Sequence, residues 1–191
     1  MNFRRLSIRG AFIVEPEPIE DRRGCFARTW CRDEFAEFGL TRPFDQCAAS
    51  HNEKCGTLRG MHYQAAPFEE AKLVRCTAGA SFDVVADIRP GSPTEGTWIG
   101  VEITSRNRRM VYIPEGCAHG FQTLADDTEI FYQIAGRYRA EESRGIRWSD
   151  PGLAIDWPIA DPILSQRDRE LPLWSETHEH ETKHLRVVAS S

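Results

Sequence analysis

Ser81-Phe82-Asp83-Val84-Val85-Ala86-Asp87-Ile88 runs straight into Arg89-Pro90-Gly91-Ser92-Pro93, and this passage sets the architecture. The first eight residues mix β-branched, aromatic and polar side chains, which suits a strand. The next five are turn formers, because proline fixes φ and glycine frees it. Working outward, the same unit recurs. Thr97 to Ile103 alternates and closes near Ser105-Arg106-Asn107, Arg109 to Ile113 stops at Pro114-Glu115-Gly116, and Thr128 to Ile134 follows. Upstream, Ala11 to Glu15 precedes a proline-containing stretch, and segments around Leu58 and Leu73-Val74-Arg75-Cys76 add two more. Short strands about ten residues apart with Gly/Pro punctuation predict a sandwich or closed barrel. One helix stands out, Cys31 to Phe38, stopped by Gly39; Asp33 in its first turns suits the positive end of the helix dipole.

The chain has 191 residues, 40% of them hydrophobic, enough for one domain with a sizeable core. That domain is expected to span residues 1–175. Residues 176–191 are polar, lack periodicity and read as a tail. His178, His180 and His184 in this tail have chelating spacing, but a solvated chain end seldom holds precise geometry. A net charge of -5 argues against a nucleic-acid surface, although a local arginine cluster still suffices for a phosphorylated small molecule. No apolar run approaches the roughly 18 residues of a membrane helix. Met1 to Leu6 is not followed by the apolar stretch of a secretory signal. The six cysteines form no CxxC pair, so a zinc knuckle or thioredoxin-type motif is not expected, and reduced thiols in the cytoplasm are.

Two segments hold the candidate chemistry: Gly56-Thr57-Leu58-Arg59-Gly60-Met61-His62-Tyr63-Gln64 and Pro114-Glu115-Gly116-Cys117-Ala118-His119-Gly120-Phe121. Together they resemble the two halves of the cupin signature. That resemblance implies an all-β, cupin-type jelly-roll barrel with a histidine from each half inside and a few short peripheral helices. Metal-binding cupins usually carry His-x-His and a downstream Glu. Here Gln64 takes the second place, and an amide oxygen is a poor transition-metal ligand beside imidazole. No metal is expected, with His62, His119 and Glu69 or Glu70 as the metal-binding alternative. Alone, His62 would read as a barrel histidine held for packing. Arg59 precedes it by three, an odd spacing that puts the two on opposite faces of a regular strand. A bulge or turn at Gly60 is required for both to reach one pocket.

The chain as a whole resembles the dTDP-4-dehydrorhamnose 3,5-epimerase family. The resemblance rests on Asp21-Arg22-Arg23-Gly24, Leu58 to Gln64, Lys72-Leu73-Val74-Arg75, Phe82 to Arg89 and Gly91-Ser92-Pro93-Thr94. It continues through Ile113 to Phe121, Tyr132 with Tyr138, Arg147-Trp148-Ser149-Asp150-Pro151, Ile155-Asp156-Trp157-Pro158 and Leu164 to Asp168. These segments keep the family's order and spacing. The resemblance implies a cofactor-free isomerase acting on a nucleotide-linked 4-keto-6-deoxyhexose. His62 would be the general base, with Asp168 orienting it and steadying the imidazolium. Tyr132 would return a proton on the opposite face, and Lys72 would stabilise the enolate. Without the family pattern, Asp168 reads as a solvated acid, Tyr132 as a barrel aromatic and Lys72 as a snorkelling surface lysine. Arg23, Phe26, Gln46, Arg59, His119 and Tyr138 match the substrate-binding surface, and a homodimer with an exchanged N-terminal segment is implied. Arginine suits a diphosphate because its planar fork donates in pairs; Arg23 beside Gly24 reads equally as a turn residue.

Four positions depart from the common family pattern: Arg28 for an acidic residue, Ala48 for asparagine, Gln133 for lysine and Ser143 for glutamate. They leave base, acid partner and phenol intact but bear on which nucleotide and sugar are bound. A C3-only epimerase and a non-catalytic sugar-nucleotide-binding cupin are the alternatives, together with a metal-dependent cupin.

Overall fold

The computed structural model describes residues 1–177, so His178, His180 and His184 lie outside the described residues. The chain opens with β1 (Asn2–Arg5), β2 (Phe12–Glu15), β3 (Ile19–Asp21) and β4 (Gly24–Phe26), then α1 (Arg32–Ala36). Next come β5 (Gln46–Asn52), β6 (Leu58–Gln64), β7 (Ala71–Ala78), β8 (Ala80–Asp87) and β9 (Trp98–Thr104). After them lie β10 (Met110–Ile113), β11 (Cys117–Thr123), β12 (Thr128–Ala135), β13 (Ser143–Gly145) and α2 (Gln166–Arg169). Six strands pair in the order β1-β2-β10-β7-β12-β5, and five in the order β13-β6-β11-β8-β9. The paired strands of both sheets run antiparallel. The expected all-β jelly-roll architecture is therefore present, with few and short helices. Among the described residues no helix is long and apolar enough to cross a membrane.

Strand alternation builds three apolar layers. Val74, Val111 and Ile130 of the first sheet meet Val85, Val101, Ile103 and Phe121 of the second, so this core lies between the sheets. Val84, Ala86 and Ala118 face the other way and are covered by the C-terminal residues Ile146, Leu153 and Trp157. Phe12, Leu73 and Tyr112 of the first sheet pack with Phe35 of α1. The sequence predicts a helix running to Phe38, but regular α-helix ends at Ala36. The Gly39 N–H bonds to the Ala36 carbonyl, and Gly39 itself has a φ of +78°, a conformation glycine adopts without a steric penalty.

The turn after β8 is fastened by one carboxylate. Asp87 is fully buried and accepts from Arg89 Nε at 2.8 Å, Arg89 Nη2 at 2.8 Å, Ser92 Oγ at 2.6 Å and Thr94 Oγ1 at 2.6 Å. Burial by itself pushes this carboxyl up, but the donors from Arg89, Ser92 and Thr94 outweigh it and hold it far below the ordinary carboxylate range. A depressed pKa contributes stability above the unfolded-state value and loses it as pH falls through the folded-state value. Asp87→Ala is therefore expected to cost about 3 kcal/mol at neutral pH, since it strands a partly buried guanidinium. In urea titrations at a series of pH values, the gap from the parent should narrow as pH falls below the ordinary carboxylate range.

Candidate active site

The required irregularity lies where the sequence placed it. His62 on β6 pairs with His119 on β11, yet Arg59 pairs with Phe121, so three steps along β6 match two along β11. The extra residue lets Arg59 and His62 share the face of Phe121, toward the inter-sheet core. Gly60 makes the bulge feasible. Its φ is +135°, and a Cβ there would sit 2.5 Å from Gly120 Cα and 3.0 Å from the His119 carbonyl oxygen.

His62 Nε2 lies 2.7 Å from Asp168 Oδ1. Because Nε2 is engaged by the carboxylate, Nδ1 is the nitrogen left to take a proton. The His62 side chain is 35% exposed, whereas that of Asp168 is 6% exposed, so the imidazole reaches solvent and its partner does not. Asp168 sits in α2, a single helical turn with Ser165 as its N-cap, whose Oγ accepts from the Asp168 N–H at 3.1 Å. Arg167, Arg169 and Glu170 around it are exposed, so the solvated-acid reading fails at this one position of the charged run. Burial raises the Asp168 pKa, but its hydrogen bond and charge interaction with His62, aided by Ser165 and Arg167, bring the carboxyl below its ordinary value.

Tyr132 on β12 stands opposite Val74 and packs on the inter-sheet core. Its ring meets His119 edge-on, centroids 6.2 Å apart. Burial pushes its phenol well up, and the nearby Asp83 adds to this against the opposing influence of Arg59 and Ser50. The phenol therefore stays protonated at neutral pH. Lys72 is two residues before Val74 on β7 and so shares its face. It pairs with Glu70 at 2.9 Å, with side chains 12% and 9% exposed, which removes the surface-lysine reading. Gln64 also donates to Glu70 at 3.2 Å and accepts from the Arg139 N–H at 2.9 Å. Among the described residues no three His, Cys, Asp or Glu side chains cluster to hold a metal ion.

Arg59 Nε donates to Asn52 Oδ1 at 2.8 Å, and Gln46 on β5 donates to the Gly136 carbonyl at 3.1 Å. Arg23 and Phe26 are not brought to this interior. They belong to the β3–β4 hairpin, which forms a separate two-stranded sheet. There Arg23 pairs with Asp21 at 2.6 Å, and Phe26 is 74% exposed. Tyr138, past β12, is 58% exposed. Of the departing positions, Ala48 lies opposite Tyr132, Ser143 accepts from Arg167 at 2.9 Å and Arg28 pairs with Glu34 at 2.9 Å. Asp83 was missed as a site residue. Its signal was a carboxylate two residues from Val85, on the core side of a barrel strand.

The family model for dTDP-4-dehydrorhamnose 3,5-epimerase matches residues 5–176. The chain belongs to this family. The dTDP-4-dehydrorhamnose 3,5-epimerase of Sinorhizobium fredii is 41% identical over 177 residues, covering 90% of this chain and 89% of that one. The dTDP-4-dehydrorhamnose 3-epimerase of Streptomyces niveus is 39% identical, covering 94% and 86%. The Legionella pneumophila epimerase, solved in complex with dTDP-4-keto-L-rhamnose, superposes with a TM-score of 0.86 at 38% identity, covering 91% and 93%.

Gly60→Ala should cost about 3 kcal/mol or more, combining positive-φ strain with a backbone clash. Thermal melts check the stability, and loss of the His62–Asp168 contact should appear as changed ring chemical shifts of His62 in NMR spectra.

Proposed function

We propose that this epimerase-family chain converts dTDP-4-dehydro-6-deoxy-D-glucose to dTDP-4-dehydro-L-rhamnose by inverting the carbons that flank the ketone. The observation that carries this reading is one barrel interior holding a carboxylate-backed imidazole and a phenol kept protonated by burial. Loss of a proton beside a ketone gives a delocalised enolate. His62 takes that proton at Nδ1, while Asp168 fixes the tautomer and steadies the imidazolium. Lys72 stabilises the charge on the enolate oxygen. Tyr132 donates from the opposite face, which inverts the centre. The same cycle at the second flanking carbon completes the double epimerisation, and its bookkeeping involves protons alone, with no redox cofactor or metal.

Arg59, His119 and Gln46 serve the sugar nucleotide from within the chain, and Tyr138 serves it from the rim. Arg23 and Phe26 reach a site by exchange of the β3–β4 hairpin into a second copy, making a homodimer. The exposure of Ile19 and Phe26, 72% and 74%, supports this, since the hairpin presents apolar side chains that the chain itself leaves uncovered. Six free cysteines fit a cytoplasmic location. A C3-only activity is the second reading, favoured by Ala48 opposite Tyr132 and by the name of the Streptomyces niveus relative.

Incubation with the dTDP-linked ketosugar in D₂O, followed by NMR, tests the assignment. Deuterium at C3 and C5 is expected; deuterium at C3 alone selects the second reading, and none at either carbon leaves only a binder. His62→Asn and Asp168→Asn should lower incorporation by about 10²–10⁴-fold, the range for losing general-base assistance. Sedimentation should give a dimer, and Phe26→Asp should shift it toward monomer and raise KM.

A further inference from the structure

Inversion by two one-sided groups leaves the site wrongly protonated. After one event His62 holds an extra proton and Tyr132 lacks one. A second inversion, or the next substrate, needs the His62 imidazolium discharged and the Tyr132 phenol re-formed. His119 neighbours both groups, and Asp83 holds it. His119 is the cross-strand partner of His62, and its ring meets Tyr132 at 6.2 Å with an interplanar angle of 77°. Asp83 Oδ2 holds His119 Nε2 at 2.9 Å, with relative exposures of 0% and 4% for the two residues. The second oxygen, Asp83 Oδ1, has no hydrogen-bond partner among the described residues, and neither has Ser81 Oγ two residues earlier. A buried carboxylate left half-compensated stabilises positive charge on the one partner it has. An imidazole needed only to touch a substrate hydroxyl requires no buried counter-ion, and burying one is costly.

We propose that His119, held by Asp83, is the relay that returns the proton from His62 to Tyr132; this rests on the epimerase reading. His119 keeps its Nε2–H on Asp83 and works through Nδ1. That nitrogen takes the proton held by the His62 imidazolium, which restores the neutral base. It then passes that proton to the Tyr132 phenolate, so the phenol re-forms. One proton has crossed the pocket and every group is back in its starting state. Asp83 is a positioning residue here, because it acts through His119 and touches no reacting atom.

Rapid-quench mass spectrometry in D₂O separates the first deuterium incorporated per active site from later ones. In Asp83→Asn the later incorporations should slow about tenfold or more beyond any slowing of the first, and His119→Gln should show the same split. Equal slowing of first and later incorporations, in variants that bind dTDP and melt like the parent, overturns the relay. Where Asp83→Asn does not fold, His119→Gln carries the same comparison. Absence of any incorporation by the parent enzyme is a separate result that removes the epimerase reading and the relay with it.

Discussion

The close approach of two backbones, at Gly60 on β6 and Gly120 on β11, is the constraint on which the site depends. A side chain at Gly60 would hold the strands apart, the extra residue would have no room, and Arg59 would turn to the opposite face from His62. The consequence is chemical as well as steric. One short strand presents both a guanidinium and an imidazole, side by side, without a loop to position either. Precision comes from the sheet's own hydrogen-bond ladder, which leaves few ways for the base to drift.

The interior set up this way holds two imidazole–carboxylate pairs of different character. His62 and Asp168 join a half-open base to a buried acid carried on α2. His119 and Asp83 are both buried and come from neighbouring strands of one sheet. Lys72 and Glu70 add a third buried pair, and Tyr132 stands among them as a neutral acid. Charge is distributed so that a partner lies close to each ionised group, which limits the desolvation cost of gathering so many in one place.

Much of this was legible in the residues, for definable reasons. Runs rich in β-branched and aromatic residues between Gly/Pro turn clusters located β8, β9, β10 and β12 to within a residue or so, because the turn formers fix where each run must stop. The odd spacing of Arg59 and His62 called for an irregularity at Gly60, and the ladder contains it. Asp168 was legible only through family resemblance: α2 is a single turn too short to leave a periodic signature, and the acid is surrounded by charges that do face water. The strands β1, β3, β4 and β13 are three or four residues long, the first three of them mostly exposed, so no hydrophobic alternation marked them. Asp83 escaped because one polar residue within a strand gives no hint of its partner, which lies 36 positions later.

The base and its carboxylate are 106 residues apart along the chain. A ribosome releases His62, both sheets and nearly the whole inter-sheet core well before it releases Asp168, at a pace of about 5–20 residues per second. The segment that delivers Asp168 also carries Leu153, Trp157 and Leu164 onto the outer face of the second sheet. Completion of the polypeptide therefore does two jobs at once: it seals an otherwise naked apolar surface and it brings the carboxylate to the imidazole. A chain stopped before Leu164 would lack that residue's cover of the sheet and the acid beside His62 alike.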